Sequence, residues 1–251
     1  MKIIYKLTLL VLILNACKPT DDPPKEEDKV NDNVSLSFKF NAKYNNFDLS
    51  WNSDFITNAG DTIKFQKIKY LLSNFTLEKP TGELVKVPDA FGFISLNDKL
   101  DSFVINKVPK GTYKSIRFDV GLDSPINHGN PAQWALTHPL NPSVNDMHWG
   151  WSGGYIFNVV EGTFKNKGIL SGFSFHVATL KNARTYTYVE DLTINKNSRF
   201  VFDVNAEKYF NNAMNYSLKT DGSFSHSGDP DPIMVKFMSN SNGTITFNSF
   251  K

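Results

Sequence analysis

The chain has 251 residues, with 27 Lys and Arg against 25 Asp and Glu and a formal net charge of +2 at pH 7. That near balance excludes the marked basic excess that a nucleic-acid or polyanion partner requires, so no nucleic acid is expected. A lone cysteine excludes any disulfide within the chain, and 21 phenylalanines offer an aromatic core in its place.

Residues 1–17 read MKIIYKLTLLVLILNAC: Lys2 and Lys6, an apolar run from Leu7 to Leu14, then Asn15-Ala16-Cys17. The run is shorter than the about 20 apolar residues of a spanning helix. The pattern resembles a bacterial lipoprotein signal, and Cys17 is expected to become the lipid-carrying first residue of an outer-membrane lipoprotein on the periplasmic or cell-surface face. Residues 18–33, KPTDDPPKEEDKVNDN, carry three prolines, nine charged residues and one aliphatic, which is the composition of a solvated linker. The folded domain is expected over 34–251.

From Val34 the hydrophobic period is two. Val34, Leu36, Phe38 and Phe40 alternate with Ser35, Ser37 and Lys39, so one face meets a core and the other meets water. Further strands are expected at 63–79, 112–120, 155–164, 172–178, 185–194, 199–205 and 244–248. Asn58–Asp61, Pro80–Gly82, Pro109–Gly111 and Asn166–Gly168 supply turn signals between them. Short helical turns are expected at Pro131–Leu136 and Ala206–Phe210. These elements predict an all-β, antiparallel β-sandwich with a long insertion between Val120 and Tyr155. The insertion is rich in His, Trp, Asn and Pro, too aromatic for disorder and too long for a plain connector.

Motifs for catalysis are missing: there is no G-x-S-x-G elbow, phosphate loop, H-E-x-x-H helix or calcium loop. Asp229-Pro230-Asp231-Pro232 reads as an exposed loop, and Glu161 and Asp119 as charged residues at strand ends. The chain is therefore expected not to be an enzyme. With the only thiol at Cys17, a metal site would rest on imidazole, which suits copper and zinc. Five histidines are available: His128, His138, His148, His176 and His226. Three fall in the insertion, where DMHWGWSGGYIF (146–157) crowds His148 against Trp149 and Trp151. His176 shares a strand face with Ser174, opposite Phe173, Phe175 and Val177.

Five segments together resemble the MbnP family, which is linked to copper handling. They are Phe38–Phe40, KYLLSNFTL (69–77), YKSIRFDVGLDSPINH (113–128), MHWGWSGGYIFNVVEGTF (147–164) and FSFHVAT (173–179). The most specific features are W-x-W-x-x-G-Y, the downstream E-G and the later F-H. The resemblance implies that a tryptophan is oxidised to kynurenine by a partner di-haem peroxidase of the MauG type, and that the exposed aniline nitrogen binds copper with histidines. Its candidates here are Trp149 and Trp151 with His128, His148 and His176. The competing expectation is a surface binding module whose exposed aromatics stack on a glycan or a protein, without metal. Two imidazoles converging on one tryptophan would favour copper.

Overall fold

The structure, a computed structural model, describes residues 32–150 and 153–251. Cys17, the signal segment, nearly all of the linker and Trp151 lie outside the described residues. Among the described residues, no helix is long and apolar enough to cross a membrane.

Among the described residues, fourteen strands follow in chain order. They are β1 (Asn33–Tyr44), β2 (Phe47–Asp48), β3 (Phe55–Ile56), β4 (Thr62–Glu78), β5 (Leu84–Lys86), β6 (Gly92–Ser95) and β7 (Ser102–Pro109). After them come β8 (Gly111–Val120), β9 (Ile156–Asn166), β10 (Ile169–Ala178), β11 (Arg184–Ile194), β12 (Ser198–Asn205), β13 (Phe224–Ser225) and β14 (Ile245–Phe250). A five-stranded sheet runs β14-β12-β1-β2, with β7 also on β1. The nine-stranded sheet runs β11-β8-β4-β9-β10-β13, with β3, β5 and β6 also on β4.

Every strand expected from the alternation is present, within a few residues at its ends. The uniformly antiparallel expectation needs one correction, because β1 pairs with β12, and β10 with β13, in parallel. Parallel neighbours need a long connection. For β1 and β12 that connection includes β3–β6 and β8–β11, which is all of the second sheet but β13. Strand β7 escaped the sequence reading, and so did a helix at Pro232–Asn240. The 229–232 segment is thus a helix start, with the Asp231 carboxylate capping the Met234 N–H at 2.8 Å and proline in the first turn.

The core lies between the two sheets, where the alternating apolar faces meet. Phe38 of β1 stacks on Phe200 of β12 and meets Phe75 of β4 edge-on at 4.9 Å. Phe118 of β8 meets Phe202 of β12 edge-on at 5.4 Å, so rings from both sheets interleave. Such offset and edge-on pairs contribute about 0.5–1.5 kcal/mol each beyond their buried area.

The insertion is ordered by local rules rather than by a sheet. It holds two single-turn helices, Ser124–Asn127 and Pro142–Asn145, and a tight turn at Pro131–Gln133. Each begins with Asp or Asn followed by a proline in the first turn, and in each the side-chain oxygen of Asp123, Asn130 or Asn141 accepts a backbone N–H. Buried asparagines then tie the insertion together. Asn145 donates to the Pro139 carbonyl and accepts from the Met147 N–H, and Asn127 accepts from the Tyr155 N–H. Tyr155 donates its hydroxyl to the Leu140 carbonyl at 2.7 Å.

Candidate functional site

Register places the site on the outer face of the larger sheet. Directly paired residues share a face. One row runs Lys69 of β4, Val159 of β9 and His176 of β10, and the next runs Lys67, Glu161 and Ser174. Strand β13 extends the second row with Phe224, opposite Ser174, so His226 falls level with His176. The imidazoles of His176 and His226 stack at 4.5 Å with their planes 2° apart.

The end of the insertion folds over these rows. His148 bridges to Tyr155, the Trp149 N–H donates to the Gly154 carbonyl, and Gly154 closes the bend with φ of 68°. A side chain on Gly154 would be strained by that angle and would meet Asn127 at 2.8 Å, which explains the glycine before the tyrosine. The bend lays the Trp149 ring over the histidine pair, 6.2 Å from His176 and 5.7 Å from His226. Trp149 is 39% exposed. Beneath it is a cleft of about 190 Å³, floored by Lys67, Lys69 and Glu161 and walled by His148, Trp149 and His176. A roomier cleft of about 700 Å³, along Asn74, Arg117 and Asp119, holds none of the candidate residues.

Glu161 is not a solvated strand end. Its carboxylate lies 2.7 Å from His176 Nε2 and 2.8 Å from Lys67 Nζ. The His176 bond, with Lys67 adding to it, holds the Glu161 carboxyl down to about 2 against the opposing effect of burial. Burial lowers the pKa of His226, and the neighbouring His176 lowers it further. His148 is lowered by burial as well. A lowered imidazole pKa keeps the neutral, ligating form down to lower pH.

Trp149 and His176 therefore come together, and His226, which the sequence reading passed over, joins them. His148 lines the same cleft, but its Nδ1 accepts the Gly150 N–H and its ring stands edge-on to Tyr155. His128 sits exposed at the end of the Ser124–Asn127 turn, 3.4 Å from Asn127 Nδ2, and lines no part of the cleft. His138 stacks on Trp134 at 4.2 Å, apart from the site. A local hint of His226 exists in FSFHVAT and SFSHS, two short strands that each carry Phe-Ser and then His. Their pairing, though, joins β10 to a segment far along the chain.

Among the described residues, no group of three or more His, Cys, Asp or Glu side chains is disposed to hold a metal ion. Two imidazoles and a tryptophan are what converge. His176 Nδ1 is buried and has no hydrogen-bond partner among the described residues.

A family model described as MbnP matches residues 31–227. No curated protein matches. Among solved structures, MbnP from Methylosinus trichosporium is similar with a TM-score of 0.58 and 14% identity, over 82% of this chain and 87% of that one. At that identity the likeness concerns the fold.

Proposed function

We propose, from the premise that this chain belongs to the MbnP family, that it is a non-enzymatic copper-binding protein of the cell envelope whose site is Trp149, His176 and His226. The observation that carries this reading is the convergence of two imidazoles on one half-exposed indole. A stacking platform for glycans would turn its histidines away from the tryptophan.

The donor set fits copper in part. Neutral imidazole nitrogens favour copper over zinc, and Nδ1 of His176 is buried with no hydrogen-bond partner among the described residues. Two nitrogens fall short of a complete site. Indole is a poor ligand, whereas the aniline nitrogen of kynurenine is a good third donor. Cleavage of the indole C2–C3 bond with addition of two oxygen atoms from two waters gives N-formylkynurenine, and the four electrons and four protons released reduce two peroxides to four waters at a haem partner. Hydrolysis then releases formate and leaves kynurenine. The exposure of Trp149 suits electron loss to a docked protein such as a di-haem peroxidase of the MauG type. Bound copper would supply a soft redox-active cation that this chain carries or senses; the residues His176 and His226 would hold it.

Mass spectrometry of the peptide carrying residues 146–157 tests this. Protein from its native host is expected to show one carbon of Trp149 replaced by one oxygen, and protein expressed alone in a foreign host is expected to be unmodified. An unmodified peptide from copper-starved native cells that express the peroxidase would leave the Trp-Gly-Trp segment as packing.

The envelope location rests on Cys17 and its preceding Leu-Asn-Ala. Cys17→Ala is expected to move the protein from the membrane fraction to the soluble fraction, because the variant lacks the thiol that would carry the lipid chains. Full retention in the membrane fraction would overturn the anchor.

A further inference from the structure

We infer that Glu161 is a positioning residue that holds His176 in the Nε2–H tautomer and so leaves Nδ1 as its ligating nitrogen. The inference deepens the copper reading and rests on it for the ligand's identity.

A carboxylate only accepts hydrogen bonds. With Glu161 Oε1 2.7 Å from His176 Nε2, that nitrogen must carry the proton, since two facing lone pairs would repel. Ser174 Oγ, 3.1 Å from the same nitrogen, serves as a second acceptor for the same N–H. At the other side of the ring, Nδ1 is buried with no acceptor among the described residues. A proton there would be a buried donor left unsatisfied. Both ends of the ring therefore specify one tautomer.

Glu161 is itself fixed. Its second oxygen is 2.8 Å from Lys67 Nζ, and Lys67 is its direct partner across the β4–β9 register. The sheet thus holds Lys67 opposite Glu161, and Glu161 diagonally across from the His176 imidazole, with Nδ1 at the far side of that ring. Metal-binding histidines are oriented by carboxylates in this way, and losing the carboxylate weakens metal binding by about 10–100-fold. A carboxylate serving only to fill a half-buried patch would leave the tautomer free.

Nitrogen-15 NMR of the imidazoles reads the tautomer in metal-free protein at neutral pH, and copper titration of the oxidised protein reads affinity. Wild type is expected to show His176 protonated at Nε2. Glu161→Ala is expected to mix the tautomers and to weaken copper binding by about 10–100-fold. Glu161→Gln, whose amide oxygen accepts the same N–H, is expected to keep the tautomer and recover most of the affinity, which separates orientation from folding. A wild-type His176 protonated at Nδ1, or a Glu161→Ala protein with unchanged tautomer, overturns the inference. Oxidised wild type that binds no copper would sink the copper reading and with it the ligand role of Nδ1. The tautomer signal would then still report separately on whether Glu161 orients the ring.

Discussion

Gly162→Ala is expected to cost about 3 kcal/mol or more, at the upper end of what overpacking costs, and to leave little folded protein on mild heating. Gly162 lies in β9 between two strands, opposite Phe65 on β4 and Phe173 on β10. A Cβ added there would meet the Lys64 carbonyl oxygen at 2.0 Å and the Phe173 ring at 2.5 Å. The ring has a reason to lie there, since it completes an edge-on contact with Phe65 at 6.1 Å. The Lys64 oxygen belongs to a backbone held in the sheet and cannot swing aside as a side-chain tip would. Gly172 makes the control. Its added Cβ would meet nothing nearer than the Gly162 oxygen at 4.0 Å, so Gly172→Ala is expected to change stability by no more than about 0.5 kcal/mol. Urea denaturation followed by circular dichroism measures both. A Gly162→Ala loss below about 1 kcal/mol would mean that the strands yield more readily than their pairing implies. This glycine also explains the E-G pair on physical grounds, because its neighbour Glu161 keeps its register opposite Lys67 only while the two strands remain close.

Replacing His176 and His226 together by Ala is expected to weaken copper binding by the oxidised protein more than about 100-fold, beyond the range seen for supporting residues. The two rings are the only imidazoles in contact with Trp149 among the described residues. Their loss leaves at most one strong nitrogen donor there. Folding should survive, because His226 is exposed and His176 faces outward from the sheet, away from the aromatic core. His138→Ala is the natural comparison. Its ring stacks on Trp134 and meets Phe91 at 5.6 Å, so copper affinity should not change. Isothermal titration with copper, alongside circular dichroism of each variant, decides the matter. Unchanged affinity in the double variant would end the assignment of the metal to this cluster. His148, one of the three candidates the resemblance implied, stands outside the pair, because its Nδ1 accepts the Gly150 N–H and its ring stands edge-on to Tyr155.

The strands and the caps were legible in the sequence because both are local. Period-two alternation marks which residues of β1 reach the core, and Asp or Asn before proline marks where each short turn of the insertion begins. The MbnP resemblance was legible for a similar reason, since its motifs are short contiguous stretches whose order along the chain is the signal. Trp149 and His176 stood out within them. What the sequence could not reveal is which distant segments lie side by side. The parallel pairing of β10 with β13 joins segments some fifty residues apart, and with the Ser227 hydroxyl bonded to the His176 carbonyl it sets His226 beside His176. The diagonal from Glu161 to His176 depends in the same way on the β9–β10 register, and so a residue that read as a solvated strand end is an ion-paired partner of a candidate ligand. His128 shows the converse: part of a motif in sequence, it lines no part of the cleft in the fold. Composition, periodicity and capping are properties of neighbours along the chain, and they determined the sheets and the insertion. The site is a set of neighbours across strands, and only the long-range register of the folded sheet decided its membership.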